Sequence, residues 1–270
     1  MEKIVQQILS SRKYRGLGIP EATLLDLIAQ EEGRGRSAKE LEQVVREKLH
    51  NIVAGYLGDP DYPGARTDLE AAFAADDPGA VKAACRALLD VHASTHERLP
   101  AMDEFYQRIF AITGVPQVVM DLACGLHPFG LPWMNLPRGG QYYAYDLNQP
   151  RIELINHFFR LASYPELAFH QDILVDPPQI RADAAFFFKE AHRFEQRQRG
   201  CNRAFWQAIP ARWLVVSLPA SSLTGRRDLA ERQRALVART LEGLDWPVVE
   251  LQVLDELIFC MDKQTAGKGG

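Results

Sequence analysis

Apolar positions follow two regimes along the chain. Over the first hundred or so residues they recur at helical spacing. Ile4, Val5, Ile8 and Leu9 share one face, Pro20 opens a run carrying Leu24, Leu25, Leu27 and Ile28, and Ser37 begins a capping-box-like Ser-Ala-Lys-Glu before Leu41, Val44, Val45 and Leu49. The segment Gly58-Asp59-Pro60-Asp61-Tyr62-Pro63-Gly64 predicts a loop by its Gly and Pro content, separating these helices from two more over Leu69 to Ala75 and Ala80 to Val91. After about residue 115 short β-rich runs take over, at Val118 to Leu122, Gln141 to Tyr145, Leu167 to His170, Ala184 to Phe188, Trp213 to Ser217, Val248 to Val253 and Leu257 to Met261. Helical or irregular stretches alternate with the early runs, the signature of a parallel α/β sheet. Only Leu254, Asp255 and Glu256 join the last two runs, too short a connector for a parallel crossover, so that pair is predicted to be an antiparallel hairpin.

With 270 residues, 47% hydrophobic and 24% charged, the chain has apolar material for one large or two modest cores. Its apolar runs fall well short of the roughly 20 residues of a membrane span, and no apolar h-region precedes a cleavage-like site. Cys85, Cys124, Cys201 and Cys260 lie far apart without a C-x-x-C pairing. That argues against a zinc site and a secreted disulfide framework and fits a reducing cytoplasm, so no metal is expected. A net charge of −4 argues against a phosphate-rich partner on average, yet Arg12, Lys13 and Arg15 cluster around Tyr14, and Arg34, Arg36 and Lys39 follow in a Gly-interrupted turn. On composition alone these clusters read as solvated faces.

Five parallel strands closed by a hairpin are the usual arrangement of Rossmann-like class I methyltransferases that use S-adenosylmethionine. At this level the resemblance is to an architecture. Ligands of open α/β sheets bind at the carboxyl ends of the strands, and three acids fall there. In Val118 to Gly130, VVMDLACGLHPFG, Asp121 ends the first strand and Gly125 lets the backbone approach a ligand. Asp146 ends the second strand in YYAYDL, where a carboxylate can accept from two ribose hydroxyls, and Asp172 follows the third in FHQDIL, where an acid can meet an adenine amino group. Each acid alone reads equally well as a cap or a loop residue. A nicotinamide dehydrogenase expects G-x-G-x-x-G after the first strand. Here the turn Ala123-Cys124-Gly125-Leu126-His127-Pro128 has one glycine and a proline, which disfavours a pyrophosphate cradle.

VHASTHERLP, Val91 to Pro100, together with DLACGLHP resembles the aminoglycoside-resistance 16S rRNA methyltransferases, which modify ring nitrogen 7 of a decoding-site guanine. That family carries an H-A-S-T-x-E-R segment before the core and a D-x-A-C-G-x-N-P first-strand turn. ILSSRKYRGLGIPEATL is similar to its opening helices, QDIL to its third-strand turn and SLPASSLTGRR to its S-F-P-x-x-S-L-G-G-R loop, so the resemblance spans nearly the whole chain. It implies an α/β fold with a helical N-terminal docking domain over residues 1–110 and a class I methyltransferase domain over 111–270. It further implies S-adenosylmethionine as cofactor, the 30S subunit and its 16S rRNA as partner, a cytoplasmic monomer, and aminoglycoside resistance as the outcome. His92, Ala93, Ser94, Thr95, Glu97 and Arg98 match the segment whose arginine reaches the cofactor's methionine carboxylate. Ala123 and Gly125 match the first-strand turn, Asp146 the ribose acid, and Asp172 with Ile173 the adenine pocket; Phe188 and Gln196 align near further contacts. An arginine suits a carboxylate because its planar fork donates two parallel hydrogen bonds. Read without the resemblance, Arg98 and Glu97 would be a surface ion pair.

The chain departs from the family at His127, where an asparagine is expected, at Glu190-Ala191-His192, and across Thr224 to Asp228, which replaces a glycine-rich loop. Under the resemblance, Arg12, Lys13, Arg15, Arg34, Arg36 and Lys39 track phosphates, while Arg226 and Arg227 flank the reaction mouth. No catalytic base is nominated, since guanine N7 attacks with a free lone pair. A small-molecule methyltransferase and a noncatalytic ribosome-binding homologue remain alternative readings.

Overall fold

A computed structural model describes residues 2–53, 58–221 and 228–263. Seven helices come first: α1 (Glu2–Leu9), α2 (Glu21–Ala29), α3 (Ala38–Val53), α4 (Tyr62–Ala74), α5 (Pro78–Val91), the single turn α6 (Ala93–His96) and α7 (Met102–Thr113). Then follow β1 (Val118–Leu122), the short α8 (Leu131–Met134), β2 (Gln141–Asp146), α9 (Gln149–Leu161), β3 (Ala168–His170) and β4 (Ala182–Phe188). The chain continues through α10 (Ala191–Arg197), α11 (Cys201–Ala208), β5 (Ala211–Pro219), α12 (Ala230–Leu241), β6 (Val248–Val253) and β7 (Glu256–Asp262).

Local chemistry sets the helix starts. Before α3, the Ser37 N–H and hydroxyl both donate to the Glu40 carboxylate, at 2.8 and 2.7 Å, completing the capping box. α4 begins inside the segment expected to be a loop. Asp61 caps it by accepting from the Gly64 N–H at 3.2 Å, and Pro63 occupies the first turn, where its missing N–H costs nothing. The Gly-Pro content of that segment therefore marks a helix start as well as a loop.

The sheet runs β3-β2-β1-β4-β5-β7-β6. β1 to β5 are parallel, while β7 pairs antiparallel with both β5 and β6. The hairpin predicted from the short connector is present, with Val253 paired to Glu256 across the two residues Leu254 and Asp255. Glu256 is thus a strand residue. Alternation along the strands divides the sheet into two apolar faces. Val119, Ala144, Phe186 and Ile258 face α4, α5, α7 and α9, whereas Met120, Tyr145, Phe187 and Phe259 face α10, α11 and α12. α1, α2 and α3 close over a separate core of Val5, Ile8, Tyr14, Leu24, Leu27, Ile28, Val45 and Leu49.

That three-helix unit is fixed to the carboxyl ends of the strands by polar contacts. The Gln149 N–H at the start of α9 donates to the Leu17 carbonyl at 3.0 Å. Gly18 has φ +58, and a Cβ there would lie 2.7 Å from the Gln149 side chain, so this approach requires glycine. Arg193 of α10 donates to the carbonyls of Asn51 and Ile52 at the end of α3, at 3.0 and 2.6 Å, where a cation also suits the helix dipole. Arg197 bridges Asp26 of α2 at 2.9 Å and Asp172 at 2.8 Å, and the Thr23 hydroxyl donates to the same Asp172 carboxylate at 2.8 Å. Asp172 and the Arg197 side chain are buried, so removing the guanidinium leaves a buried acid without its countercharge. Arg197→Met is expected to lower stability by about 3 kcal/mol, read as a shifted urea midpoint at unchanged slope. A midpoint equal to the parent's would show that the joint contributes nothing.

Candidate active site

A cavity of about 210 Å³ opens where the strand ends meet the three-helix unit. Its floor includes Asp121, Ala123, Gly125, Asp146, Asp172 and Ile173, and its rim includes Leu17, Ile19, Lys48 and Asn51. The backbone turns sharply beneath it. Ala123 and Gly125 after β1 have φ +53 and +55, and Lys189 after β4 has φ +60, a region that L residues rarely adopt and that clusters at functional sites.

Each strand-end acid is held by named donors. Asp121, 1% exposed, accepts from His127 Nδ1 at 2.9 Å and from the Tyr142 hydroxyl at 2.7 Å. In the tautomer whose Nδ1–H donates to this carboxylate, His127 Nε2 accepts from the Tyr106 hydroxyl at 2.8 Å. The histidine found in place of the family's asparagine is therefore part of a buried Tyr-His-Asp-Tyr chain. Asp146 accepts from the N–H groups of Gly125 at 2.9 Å and Asn148 at 2.8 Å, and Arg151 Nη1 lies 3.2 Å from both carboxylate oxygens. Arg151 also donates to Asp59 at 2.7 Å. Burial works against the charge on Asp59, but Arg151 and the Tyr62 hydroxyl hold its carboxyl below the usual carboxylate range. Asp172 accepts from Arg197 Nη1 at 2.9 Å and the Leu174 N–H at 3.1 Å on one oxygen, and from the Thr23 hydroxyl at 2.8 Å on the other, beside which Arg197 Nη2 lies at 2.8 Å as an ion-pair contact. Both oxygens are thus engaged by protein donors.

The segment from His92 to Arg98 folds over the same cavity. His92 Nδ1 lies 2.7 Å from the Ser94 hydroxyl, and both side chains line the cavity. The Thr95 hydroxyl turns back onto the carbonyls of Leu89 and His92, at 2.6 and 3.0 Å, and fastens α6 to the end of α5. Arg98, 3% exposed, packs against the rings of Phe105 and Phe188, 4.2 and 4.8 Å from their centroids. Its Nε and Nη2 fork onto Glu256, at 3.1 and 2.5 Å. Burial alone would raise the Glu256 carboxyl, but Arg98 and then Lys189 hold it below the ordinary range. Lys189 pairs with Glu97 and lies 3.7 Å from Glu256.

The cavity therefore gathers His92, Ser94, Thr95, Arg98, Asp121, Ala123, Gly125, Asp146, Asp172, Ile173, Phe188 and Gln196. Ala93 and Glu97 do not line it, and Glu97 faces Lys189 instead. Of the basic residues, Arg12, Lys13 and Arg15 fan outward, exposed, around the buried Tyr14, whose hydroxyl donates to the Arg46 carbonyl at 3.3 Å. Arg34 and Arg36 share the buried Glu31 with Lys48, at 3.5, 3.0 and 2.7 Å, while Lys39 is exposed. Arg226 and Arg227 lie outside the described residues, as does most of the Thr224 to Asp228 departure. Among the described residues no His, Cys, Asp and Glu group could hold a metal, and no helix is long and apolar enough to cross a membrane.

Sequence reasoning missed Arg151, Asp59, Arg193, Arg197 and Glu256. Arg151 did carry a signal, for a cation in the first turn of a helix opposes the dipole unless an acid compensates it.

The cavity suits an adenosylmethionine. Above Gly125 an added Cβ would meet only His92 Cε1, at 3.8 Å, which leaves room over the turn. Asp146 stands at the end of β2 with carboxylate acceptors, and Arg98 supplies a cation on the opposite wall. A sheet of this order, with acids at the ends of its first three strands and such a cavity over them, defines a class I S-adenosylmethionine-dependent methyltransferase. Within that class the chain belongs to the family described as Ribosomal RNA methyltransferase (FmrO), which matches residues 10–260. It is 30% identical over 264 residues to the 16S rRNA (guanine(1405)-N(7))-methyltransferase of Frankia casuarinae, covering 96% of this chain and 92% of that one. It is 36% identical over 219 residues to the enzyme of the same name from Serratia marcescens, covering 81% and 80%. The solved structure of the 16S rRNA methyltransferase RmtF in complex with S-adenosyl-L-homocysteine superimposes with a TM-score of 0.79 at 27% identity, each chain covered to 97%.

Two imidazoles near the cavity carry a pH signature. Burial first, then the charge of Arg151, pushes His92 down to about 4; burial and Arg193 do the same to His192. An unfolded imidazole titrates near 6.5, so between roughly 6.5 and 4 the unfolded chain binds protons that the folded chain refuses. Stability is therefore expected to fall as pH drops through that window. Replacing His92 and His192 together by Asn is expected to make the melting temperature less steep between pH 6.5 and 5. An unchanged slope would contradict this.

Proposed function

We propose that this protein transfers the methyl group of S-adenosylmethionine to N7 of the decoding-site guanine of 16S rRNA within the 30S subunit. It acts in the cytoplasm as a monomer, and the modification confers aminoglycoside resistance. The observation that carries this reading is the position of the cavity, with strand-end acids on its floor and the cation-bearing three-helix unit at its rim. Asp146 would hold the ribose, Arg98 the methionine carboxylate, and Ile173 with the Asp172 turn the adenine.

When bound, the cofactor supplies an electrophilic methyl on a sulfonium sulfur. The rest is placement. Guanine N7 has an available lone pair and needs no deprotonation, so alignment of acceptor and methyl accounts for most of the rate. The imidazoles of His92 and His192, held near 4, are neutral and weakly basic at pH 7, in keeping with a mechanism that asks for no base. A guanine within folded rRNA must leave its stack, at a cost of a few kcal/mol offset by contacts to the base and backbone. Arg12, Lys13 and Arg15, exposed on the three-helix unit, would supply part of the phosphate contact, with Lys39 and the outer faces of Arg34 and Arg36 beside them.

The direct test is transfer of labelled methyl from S-adenosylmethionine to purified 30S subunits, with primer extension to locate the product. Label on the decoding-site guanine is expected. Cofactor binding without any transfer to 30S would favour a different acceptor or a noncatalytic ribosome-binding role. A second measurement addresses docking. Reversing charge at Arg12, Lys13 and Arg15 together is expected to weaken 30S binding more than tenfold at low salt and flatten its salt dependence, with cofactor affinity unchanged. Parent-like 30S binding would remove this cluster from the interface.

A further inference from the structure

Arg98 has five N–H donors, and Glu256 takes only the side formed by Nε and Nη2. No described residue accepts from Nη1, and the arginine lines the cavity. The Phe105 and Phe188 rings, set edge to face with each other, both lie against the guanidinium, so the direction of its hydrogen-bonding edges is set by what grips the Nε and Nη2 side. Glu256 does not line the cavity. As the first residue of β7 it is paired with Val253 across the hairpin and with Pro219 of β5, and two strand pairings therefore fix its backbone. Lys189, buried just after β4, lies 3.7 Å from the same carboxylate oxygen that accepts from Arg98 Nε. The acid cannot turn away without leaving the buried Arg98 without its countercharge.

We propose that Glu256 is a positioning residue for methyl transfer: by gripping the Nε and Nη2 side of Arg98, it presents the Nη1 end of the guanidinium to the carboxylate of the cofactor's methionine portion. One planar cation then serves two carboxylates, one structural and side-on, the other from the ligand and end-on. This rests on the cofactor reading given above, in which Arg98 meets that carboxylate.

The test compares two ligands by calorimetry on the full-length protein. S-adenosylhomocysteine carries the carboxylate, whereas 5′-methylthioadenosine keeps the nucleoside and sulfur without it. Glu256→Gln retains the shape but loses the charge and one acceptor. It is expected to weaken S-adenosylhomocysteine about tenfold, the size of one hydrogen bond to a charged group, and to leave 5′-methylthioadenosine within twofold of the parent. In methyl transfer to 30S the loss is expected in the KM for S-adenosylmethionine, with kcat little changed. If Glu256→Gln does not yield folded protein, Glu256→Asp, which keeps the charge but withdraws it by one methylene, is measured in the same way and is expected to show the same selective loss in smaller degree. Equal weakening of both ligands, or of neither, overturns the proposal by making Glu256 a stabilising ion-pair partner alone. Arg98→Lys separates the two levels. A selective loss there without one at Glu256 overturns the positioning role only, whereas no selective loss at Arg98 overturns the carboxylate reading and the proposal with it.

Discussion

At the edge of the sheet where the parallel strands end, three buried acids are each paired with an arginine from another element. Asp146 has Arg151, Asp172 has Arg197, and Glu256 has Arg98. Burial disfavours charge on a carboxylate, and a countercharge within reach offsets that cost. Where the arginine forks, as Arg98 does onto Glu256, it fixes direction as well, because two parallel hydrogen bonds leave a planar group little freedom to rotate. Buried pairs of this kind are weak contributors to net stability, yet breaking one strands its partner. Their value here is geometric. They set where donors and acceptors stand before any ligand arrives.

The acids that end or follow β1, β2 and β3 are held in three different ways. Asp172 has both oxygens filled by Thr23, Leu174 and the two ends of Arg197, so a ligand group that sought it would have to displace a protein donor. Asp146 is held more loosely, since Arg151 lies at 3.2 Å from both its oxygens and is bound more closely, at 2.7 Å, by Asp59. Asp146 is therefore the acid whose arginine partner also has a second, closer carboxylate to turn to. Asp121 has no arginine within its hydrogen bonds; its donors are an imidazole and a phenol, and with 1% exposure it braces the β1 turn from below.

The acids were legible in the sequence and their partners were not, for a physical reason. A strand end is a local event: VVMDLACG, YYAYDL and QDIL each show an apolar run meeting an acid, and the period-2 pattern locates them within a residue or two. The hairpin was legible too, because connector length alone forbids a parallel crossover. An ion pair between Arg98 and Glu256, 158 residues apart, or between Arg197 and Asp26, 171 apart, leaves no local trace. The motif resemblance supplied what periodicity could not, placing His92 to Arg98 near the cofactor and singling out Arg98 for its carboxylate, but it also counted Ala93 and Glu97 as cofactor contacts. The fold turns Arg98 to the cavity and Glu97 to Lys189. Likewise Arg34 and Arg36 look in sequence like a free basic patch, while in the fold they partly neutralise the buried Glu31.

Because the three-helix unit has its own apolar core, it resembles an appendage, but its attachment argues otherwise. Its apolar cluster is separate from those on the two faces of the sheet, and polar contacts make the joint: Leu17 to Gln149, Thr23 and Asp26 to the Asp172 and Arg197 pair, Asn51 and Ile52 to Arg193. Polar joints depend on direction, so they fix the orientation of one body on another where an apolar seam would let it slide. The residues at these joints also border the cavity, with Leu17, Asn51, Ile52, Arg193 and Arg197 on its lining. Any surface that docks on the helices is thus held at a defined attitude to the place where the methyl donor would lie. For a reaction whose rate comes from alignment rather than from acid or base, that attitude is part of the catalytic apparatus.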